Sequence, residues 1–600
     1  MVRNKKQNVY ILLIFNLVLA YIFYSFHDWT LKTPFNVKFR TYFVCFILIF
    51  VIPFLAYILK SFNSLIGNII DQAKEIFYKI KKIDKKAAGI CIVQYSIGTL
   101  IAWIIGHIAA FLLQLKLSGW GYNPFVFLCC FTASNIIITC WKFRKTAFKN
   151  IEKFFFVIAM IVGVFFCFAT PREVGISWDD EIHYHRVTNM VNYFNGHGYK
   201  ADLMMTSEYQ KVAGPHFGYS KEDREERKQL INQSFDNNEM ADYEENYSIS
   251  YVAYIPYCIG IILARGVSLS YTSSFVFGRF LNYFFYVCMV VFAMKKIKSG
   301  KVLLATIASF PTVLYMAGSY SYDPWIIGLS LYGYATFFGI IQREDKVQND
   351  ELVKMLLSFF LAFIVKAVYF PALFPILFLP RKKFASHKQH HLYVIAVFAV
   401  AISLFCSIIM PMFFSGGSVN VTDSRGGEGV NATEQIKYII SNPYKFTKDI
   451  LDYILGDFIC PINAYLYIEN YAYMSLVYQL PFAYLSIFLP LIVALYDQDG
   501  SIKKTRGITI SGCIGLFCSV LLIASALYIS YTPVGLNTVN GCQHRYLLPL
   551  IFPTTYLLGF NCKVEKNDNL FVIVPILIFV ATFVGWVGGN LYAGYSNFLF

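Results

Sequence analysis

Apolar and polar positions alternate along this chain on the scale of whole helices, not of strands. Runs of about 20 apolar residues, the length that crosses the hydrocarbon of a bilayer, recur near 8–26, 41–59, 88–114, 125–141, 154–170, 276–294, 302–320, 324–342, 394–414, 476–496, 508–530, 545–560 and 570–590. A further run, 355–380, is interrupted by Lys366, Pro371 and Pro375 and predicts two short, broken helices meeting near Lys366. Broken backbone at membrane depth survives only where protein or a water-filled cavity satisfies its freed polar groups, so this pair is expected to line an internal cavity. The stretch from Tyr251 to Ala264 is apolar but short, with Tyr251, Tyr254, Pro256 and Tyr257 crowding one end. That composition predicts a segment lying along or dipping into one leaflet rather than a span. The pattern as a whole predicts an all-α polytopic membrane protein of about 13–15 transmembrane helices.

Composition sharpens this. With 57% hydrophobic residues, 14% charged residues and a mean hydropathy of +0.52, the chain is excluded from the soluble class, in which about a quarter of residues are charged. Its 51 basic and 36 acidic residues give a net charge of +15, but the charges cluster between apolar runs. The expected partner is therefore the lipid bilayer, and no nucleic acid is expected. Most of the 14 cysteines sit inside apolar runs without metal-ligand spacing and read as small hydrophobes.

Orientation follows from Lys and Arg in short loops. Segment 60–86 carries seven basic residues and 142–153 carries five, which makes both cytoplasmic together with the N-terminus. The stretch 171–250 then lies outside, and its eight basic and fifteen acidic residues reverse the sign. If 251–264 does not span, the cluster Lys295, Lys296, Lys298 and Lys301 returns inside. Two large external loops result, 171–275 and 415–475, with 1–150 forming extra N-terminal transmembrane helices ahead of a module over 151–600.

The densest polar cluster at the membrane is Ser177-Trp178-Asp179-Asp180-Glu181-Ile182-His183-Tyr184-His185-Arg186, just past the fifth span. Three adjacent carboxylates repel one another, which is one way a general base is tuned. If Asp179 opens a helix as an N-cap acid, then Asp179, His183 and Arg186 fall on one face, with Asp180 and Tyr184 on the neighbouring one. Asp/His adjacency is also compatible with a divalent metal, although His183 and His185 point to different sides of a helix. Further polar residues cap the external ends of other spans: Arg279, Tyr322 with Asp323, Lys366, and His544 with Arg545. Each alone reads as a cap or a snorkelling anchor. On one side together, carboxylates and cations describe a site that deprotonates an acceptor while holding an anionic leaving group such as phosphate.

These elements, in this order, resemble a bacterial membrane family of unknown function grouped with the GT-C glycosyltransferase superfamily. The resemblance runs from about residue 154 to about 560. It is carried by Trp178-Asp179-Asp180-Glu181-Ile182-His183-Tyr184-His185-Arg186, by Tyr251 to Arg265 with Phe277-Gly278-Arg279-Phe280-Leu281-Asn282, by Ser321-Tyr322-Asp323-Pro324, by Lys366 with Tyr369 and Pro371, and by Gln543-His544-Arg545-Tyr546 with Pro549. It implies a GT-C-like membrane glycosyltransferase that moves a sugar from a polyprenyl-phosphate-sugar donor to a glycan or lipid acceptor on the external face of a bacterial plasma membrane. Asp179 or Asp180 would be the base, with Glu181 left open by the run of three acids. His183, Arg186, Arg279, Asp323, Lys366, His544 and Arg545 would bind substrate, Arg545, Lys366 and Arg186 being the phosphate candidates. The alternatives are a transporter or flippase of lipid-linked sugars and a non-catalytic partner in cell-wall polymer assembly.

Overall fold

The computed structural model describes, with short gaps, residues 93–108, 124–202, 240–242, 249–414, 426–472 and 505–558. The expected spans at 8–26, 41–59 and 570–590, nearly all of the one at 476–496, and the basic segment 60–86 lie outside the described residues. Apart from a short antiparallel ribbon, β1 (Lys200–Asp202) with β2 (Met240–Asp242), the described residues are built from helices. Five helical stretches are long and apolar enough to cross a membrane: Ile151–Phe168, Ser273–Met294, Asp323–Gln342, His387–Ile408 and Arg506–Ser530. The protein is an all-α polytopic membrane protein. Its chain divides into two compact units, each drawn from three separate segments.

One unit comprises residues 84–342, 454–504 and 543–600. Its described helices are α1 (Pro124–Phe143), α2 (Ile151–Ala169), α3 (Asp180–Phe194), α4 (Ile255–Gly266), α5 (Tyr271–Met294), α6 (Lys301–Ala308), α7 (Pro311–Ala317) and α8 (Asp323–Gln342), followed after the excursion through the other unit by a π-turn at Ile454–Phe458 and a short helix, Tyr465–Ile468. A 3-10 turn, His544–Leu547, then leads into a final helix, Leu548–Leu558. Helix α5 is the axis of this unit, packing against α2, α4 and α8. Its approach to α4 depends on paired glycines: a Cβ on Gly260 would sit 2.9 Å from the Gly278 Cα. Small residues at such a crossing let two backbones approach closely, which is how helices gain van der Waals contact when lipid is as apolar as the side chains. Buried tyrosines then satisfy main-chain carbonyls across the interfaces, Tyr283 donating to Ala159 O and Tyr286 to Ala308 O, each at 2.8 Å.

Two sequence expectations meet different fates here. Helix α4 has 12 residues and continues a 3-10 stretch, Ile249–Tyr254, and the segment is not among the helices long and apolar enough to cross a membrane, in keeping with the sequence expectation. The expected single span over 302–320 is instead two short buried helices, α6 and α7. Pro311 is the cause. It has no N–H to continue the helix, and the residue before it is driven to extended backbone, here Phe310 at φ −54° and ψ 134°.

The other unit comprises residues 1–83, 343–453 and 505–542. In chain order it holds α9 (Asn349–Phe363), a 3-10 stretch (Ala367–Leu373), α10 (Phe374–Leu377), α11 (His387–Phe414), α12 (Ala432–Ser441), α13 (Pro443–Tyr453) and α14 (Arg506–Ser530). The break expected near Lys366 is present: α9 stops at Phe363, Lys366 precedes the 3-10 stretch, and Pro371 and Pro375 lie beyond it. The broken segment packs between α11 and α14, where a Cβ on Gly515 would meet the Pro371 carbonyl at 2.3 Å.

Candidate functional site

The cluster forms where four short segments of the first unit converge: the start of α3, the loop 318–322 with the first residue of α8, the helical segment 249–266, and the turn His544–Leu547. Asp179 immediately precedes α3, but its backbone is left-handed, with φ 53° and ψ 22°, and its side chain makes no capping hydrogen bond. Asp179 thus stands at the expected N-cap position, but its side chain does not cap. A capping side chain works from β-region backbone, which Asp179 lacks. Its carboxylate instead lies 3.8 Å from Arg545 Nη2 and is 37% exposed. Asp180, the next residue, is fully buried and accepts a hydrogen bond from the Ser177 N–H at 3.2 Å. Glu181 is partly exposed in the first turn. Three acids adjacent in sequence therefore occupy three different environments.

Arg545 is 4% exposed and sits between two carboxylates, with Nη1 3.2 Å from Asp323 Oδ2. Its guanidinium also lies 4.6 Å from the centre of the Trp178 ring. Burial opposes its charge, but Asp323, with smaller contributions from Asp179 and neighbouring tyrosines, more than offsets that and raises its pKa. Although the Asp323 contact is within ion-pair distance, neither the Nε nor the Nη1 hydrogens are aligned on an acceptor. The guanidinium is thus charged, fixed and incompletely used as a donor.

His183 and Arg186 share one face of α3, as the helical spacing predicts. His183 Nδ1 pairs with the Tyr254 hydroxyl at 2.7 Å and its ring meets Tyr322 edge-on at 4.8 Å. Arg186 Nη1 reaches the same Tyr254 hydroxyl at 3.4 Å and lies over the Tyr251 ring. His544 Nε2 approaches the Asp457 carbonyl at 3.3 Å. Burial pushes the His544 pKa below its ordinary value, partly opposed by Asp457. One expected member, Arg279, does not face this cluster's open side, and another, Lys366, belongs to the other unit. Arg279 is wholly buried within α5, 4.3 Å from the Phe275 ring centre.

The cluster is braced by Asp202, which no motif marks, together with residues of the motif stretches themselves. Asp202 accepts from Arg265 Nη2 at 2.7 Å, from Asn192 Nδ2 at 3.0 Å and from the Tyr184 hydroxyl at 3.1 Å, tying α3, β1 and α4 together. The Tyr257 hydroxyl accepts from the Ser321 N–H at 3.0 Å and donates to the Ser319 carbonyl, fixing the loop that presents Asp323. Among the described residues, no group of three or more His, Cys, Asp or Glu is arranged to hold a metal ion. The divalent metal compatible with the sequence thus finds no matching donor set there.

Residues 160–553 match the family described as a predicted membrane protein, DUF2142. The chain belongs to this family. The DUF2142 match takes in every residue of the cluster described above, from Trp178 to Tyr546. No curated protein and no solved structure matches the chain.

Proposed function

We propose that this DUF2142 protein is a GT-C-type glycosyltransferase, moving a sugar from a polyprenyl-phosphate donor to a glycan or lipid acceptor at the external face of a bacterial plasma membrane. The N-terminus is cytoplasmic in this reading. The observation that carries it is Arg545, a buried guanidinium with unaligned donors between Asp323 and the more exposed Asp179. A guanidinium with spare N–H groups is suited to two phosphate oxygens at once. A carboxylate beside it is suited to take the acceptor proton.

In the proposed step the acceptor hydroxyl gives its proton to Asp179 as its oxygen attacks the anomeric carbon. The bond from that carbon to the phosphate oxygen breaks, and the electron pair leaves with polyprenyl phosphate. Arg545 turns its free donors to the departing phosphate, which loosens its hold on Asp179 as the base is needed. Asp323 keeps the guanidinium anchored throughout. His183, Arg186 and His544 line the approach, His544 as a neutral imidazole. Purified protein in lipid vesicles, given polyprenyl-phospho-sugars and glycan or lipid acceptors, should transfer sugar, and Asp179→Asn should lower the rate by about a hundredfold or more. Movement of the intact lipid-linked sugar across the vesicle, undiminished in Asp179→Asn and without transfer, would replace the enzyme reading with that of a flippase.

A further inference from the structure

One segment that packs on the Arg545 turn ends in an acid that the reading above does not use. Glu469 follows the short helix Tyr465–Ile468, which packs on both the turn His544–Leu547 and α7. It is 5% exposed, and neither carboxyl oxygen has a hydrogen-bond partner. Its backbone is nonetheless firmly held. The next residue, Asn470, donates its N–H to Thr312 Oγ1 at 2.7 Å, and its side chain bridges Leu466 O and the N–H of Ala472, which is itself left-handed at φ 53°. Tyr471 is fully buried and packs edge-on to Tyr315 at 5.6 Å.

A buried polar group is normally satisfied, so a carboxyl with two idle oxygens on a firmly held segment calls for a ligand. The chemistry of that ligand follows from the surroundings. Among the described residues, no cationic side chain pairs with Glu469, and it joins no metal-holding group. Burial pushes its pKa up to about 7, so near neutral pH it presents an O–H donor as readily as an acceptor. A sugar hydroxyl, which is also both donor and acceptor, is the matching partner.

We infer that Glu469 is a sugar-binding residue of the Arg545 site, hydrogen-bonding hydroxyls of the donor's sugar while Arg545 holds its phosphate. The inference rests on the transferase reading. Thermal unfolding of the full-length protein in nanodiscs separates the two. The ligands are a panel of polyprenyl-phospho-sugars and bare polyprenyl phosphate, and the proteins are wild type, Glu469→Gln and Glu469→Leu. Without ligand, both variants should melt at or above wild type, because each removes a buried, unpartnered acid. Bare polyprenyl phosphate should stabilise all three alike. One phospho-sugar should stabilise wild type further, Glu469→Gln less, and Glu469→Leu no more than the bare lipid, with donor affinity in Glu469→Leu weaker by about tenfold or more. Equal stabilisation of wild type and Glu469→Leu by every sugar overturns the role of Glu469 and leaves the transferase reading intact. Unliganded variants that melt well below wild type assign Glu469 to the fold and also overturn it. If no lipid phosphate stabilises wild type, the Arg545 site itself falls, and Glu469 with it.

Discussion

Arg545 is held unequally by its two carboxylates: Asp323 lies 3.2 Å away with a side chain 11% exposed, Asp179 3.8 Å away with one 37% exposed. Removing one partner of a buried pair leaves an uncompensated charge and costs about 3–5 kcal/mol, whereas a solvated partner is worth little. Asp323→Asn should therefore lower the melting temperature markedly, and Asp179→Asn should barely change it while reducing sugar transfer by about a hundredfold or more. Comparable melting losses in the two variants would contradict this division of labour.

The backbone of Asp179 makes a second, independent prediction. A non-glycine residue held at φ 53° stores on the order of 1 kcal/mol of strain. Glycine removes that strain, so Asp179→Gly should fold as stably as wild type or slightly better, yet transfer no sugar. Asparagine visits the left-handed region more readily than most residues, so Asp179→Ala, with neither the carboxylate nor that tolerance, should be the least stable of the three. A melting series ordered otherwise would show that the left-handed turn is not maintained against strain.

The role of Arg545 can be separated from its charge. Lys would preserve a cation near Asp323 but offers a point charge where Arg offers a planar fork. Arg545→Lys should keep expression and insertion and lose most of the transfer rate, with weakened use of the polyprenyl-phosphate donor. Wild-type kinetics in this variant would mean that Arg545 only braces the two carboxylates.

Much of the membrane architecture was legible because crossing lipid imposes a length and a composition that local sequence must display. Helices α2, α5, α8, α11 and α14 fall where apolar runs predict them, and the break at Lys366 falls where Pro371 and Pro375 announce it. The split of 302–320 was also written locally, in Pro311, but an uninterrupted apolar run hid it. The acids at 179–181 could not be told apart in sequence because their difference lies in one left-handed residue and in the partners that distant segments bring. The same limit hid the Asp202–Arg265 bridge, whose members stand 63 positions apart. Glu469 left only one faint signal, a single acid in the aromatic stretch Tyr465-Leu466-Tyr467-Ile468-Glu469-Asn470-Tyr471.

Sidedness is open to direct test within the unit that bears the site. His197 lies just beyond α3 and Lys298 just beyond α5, and both are exposed. With the positive-inside assignment, a cysteine at 197 should react with an impermeant maleimide added to intact cells and one at 298 only after permeabilisation. External labelling at 298 would place both ends of α5 on one side and undo the proposed orientation.

The burial of Glu469 also sets a pH dependence whose sign is fixed. Its folded pKa of about 7 lies above the ordinary 4.5, so the folded state holds this proton more tightly than the unfolded state does. The favourable contribution is complete below about pH 4.5, is lost as pH rises through 7, and stays lost above it, a change on the order of 3 kcal/mol. Glutamine cannot ionise. The stability difference between Glu469→Gln and wild type should accordingly be small at pH 4.5, grow in favour of the variant up to about pH 7, and then level off. The other titratable groups on this segment and the elements packed on it, Tyr465, Tyr467, Tyr471, Tyr315, His544, Arg545 and Tyr546, are common to both proteins. His544 ionises inside this window, with a pKa lowered by burial, but its contribution cancels in the difference. Parallel melting curves from pH 5 to 8 would mean that Glu469 is ionised and partnered throughout, which is incompatible with two buried, idle oxygens.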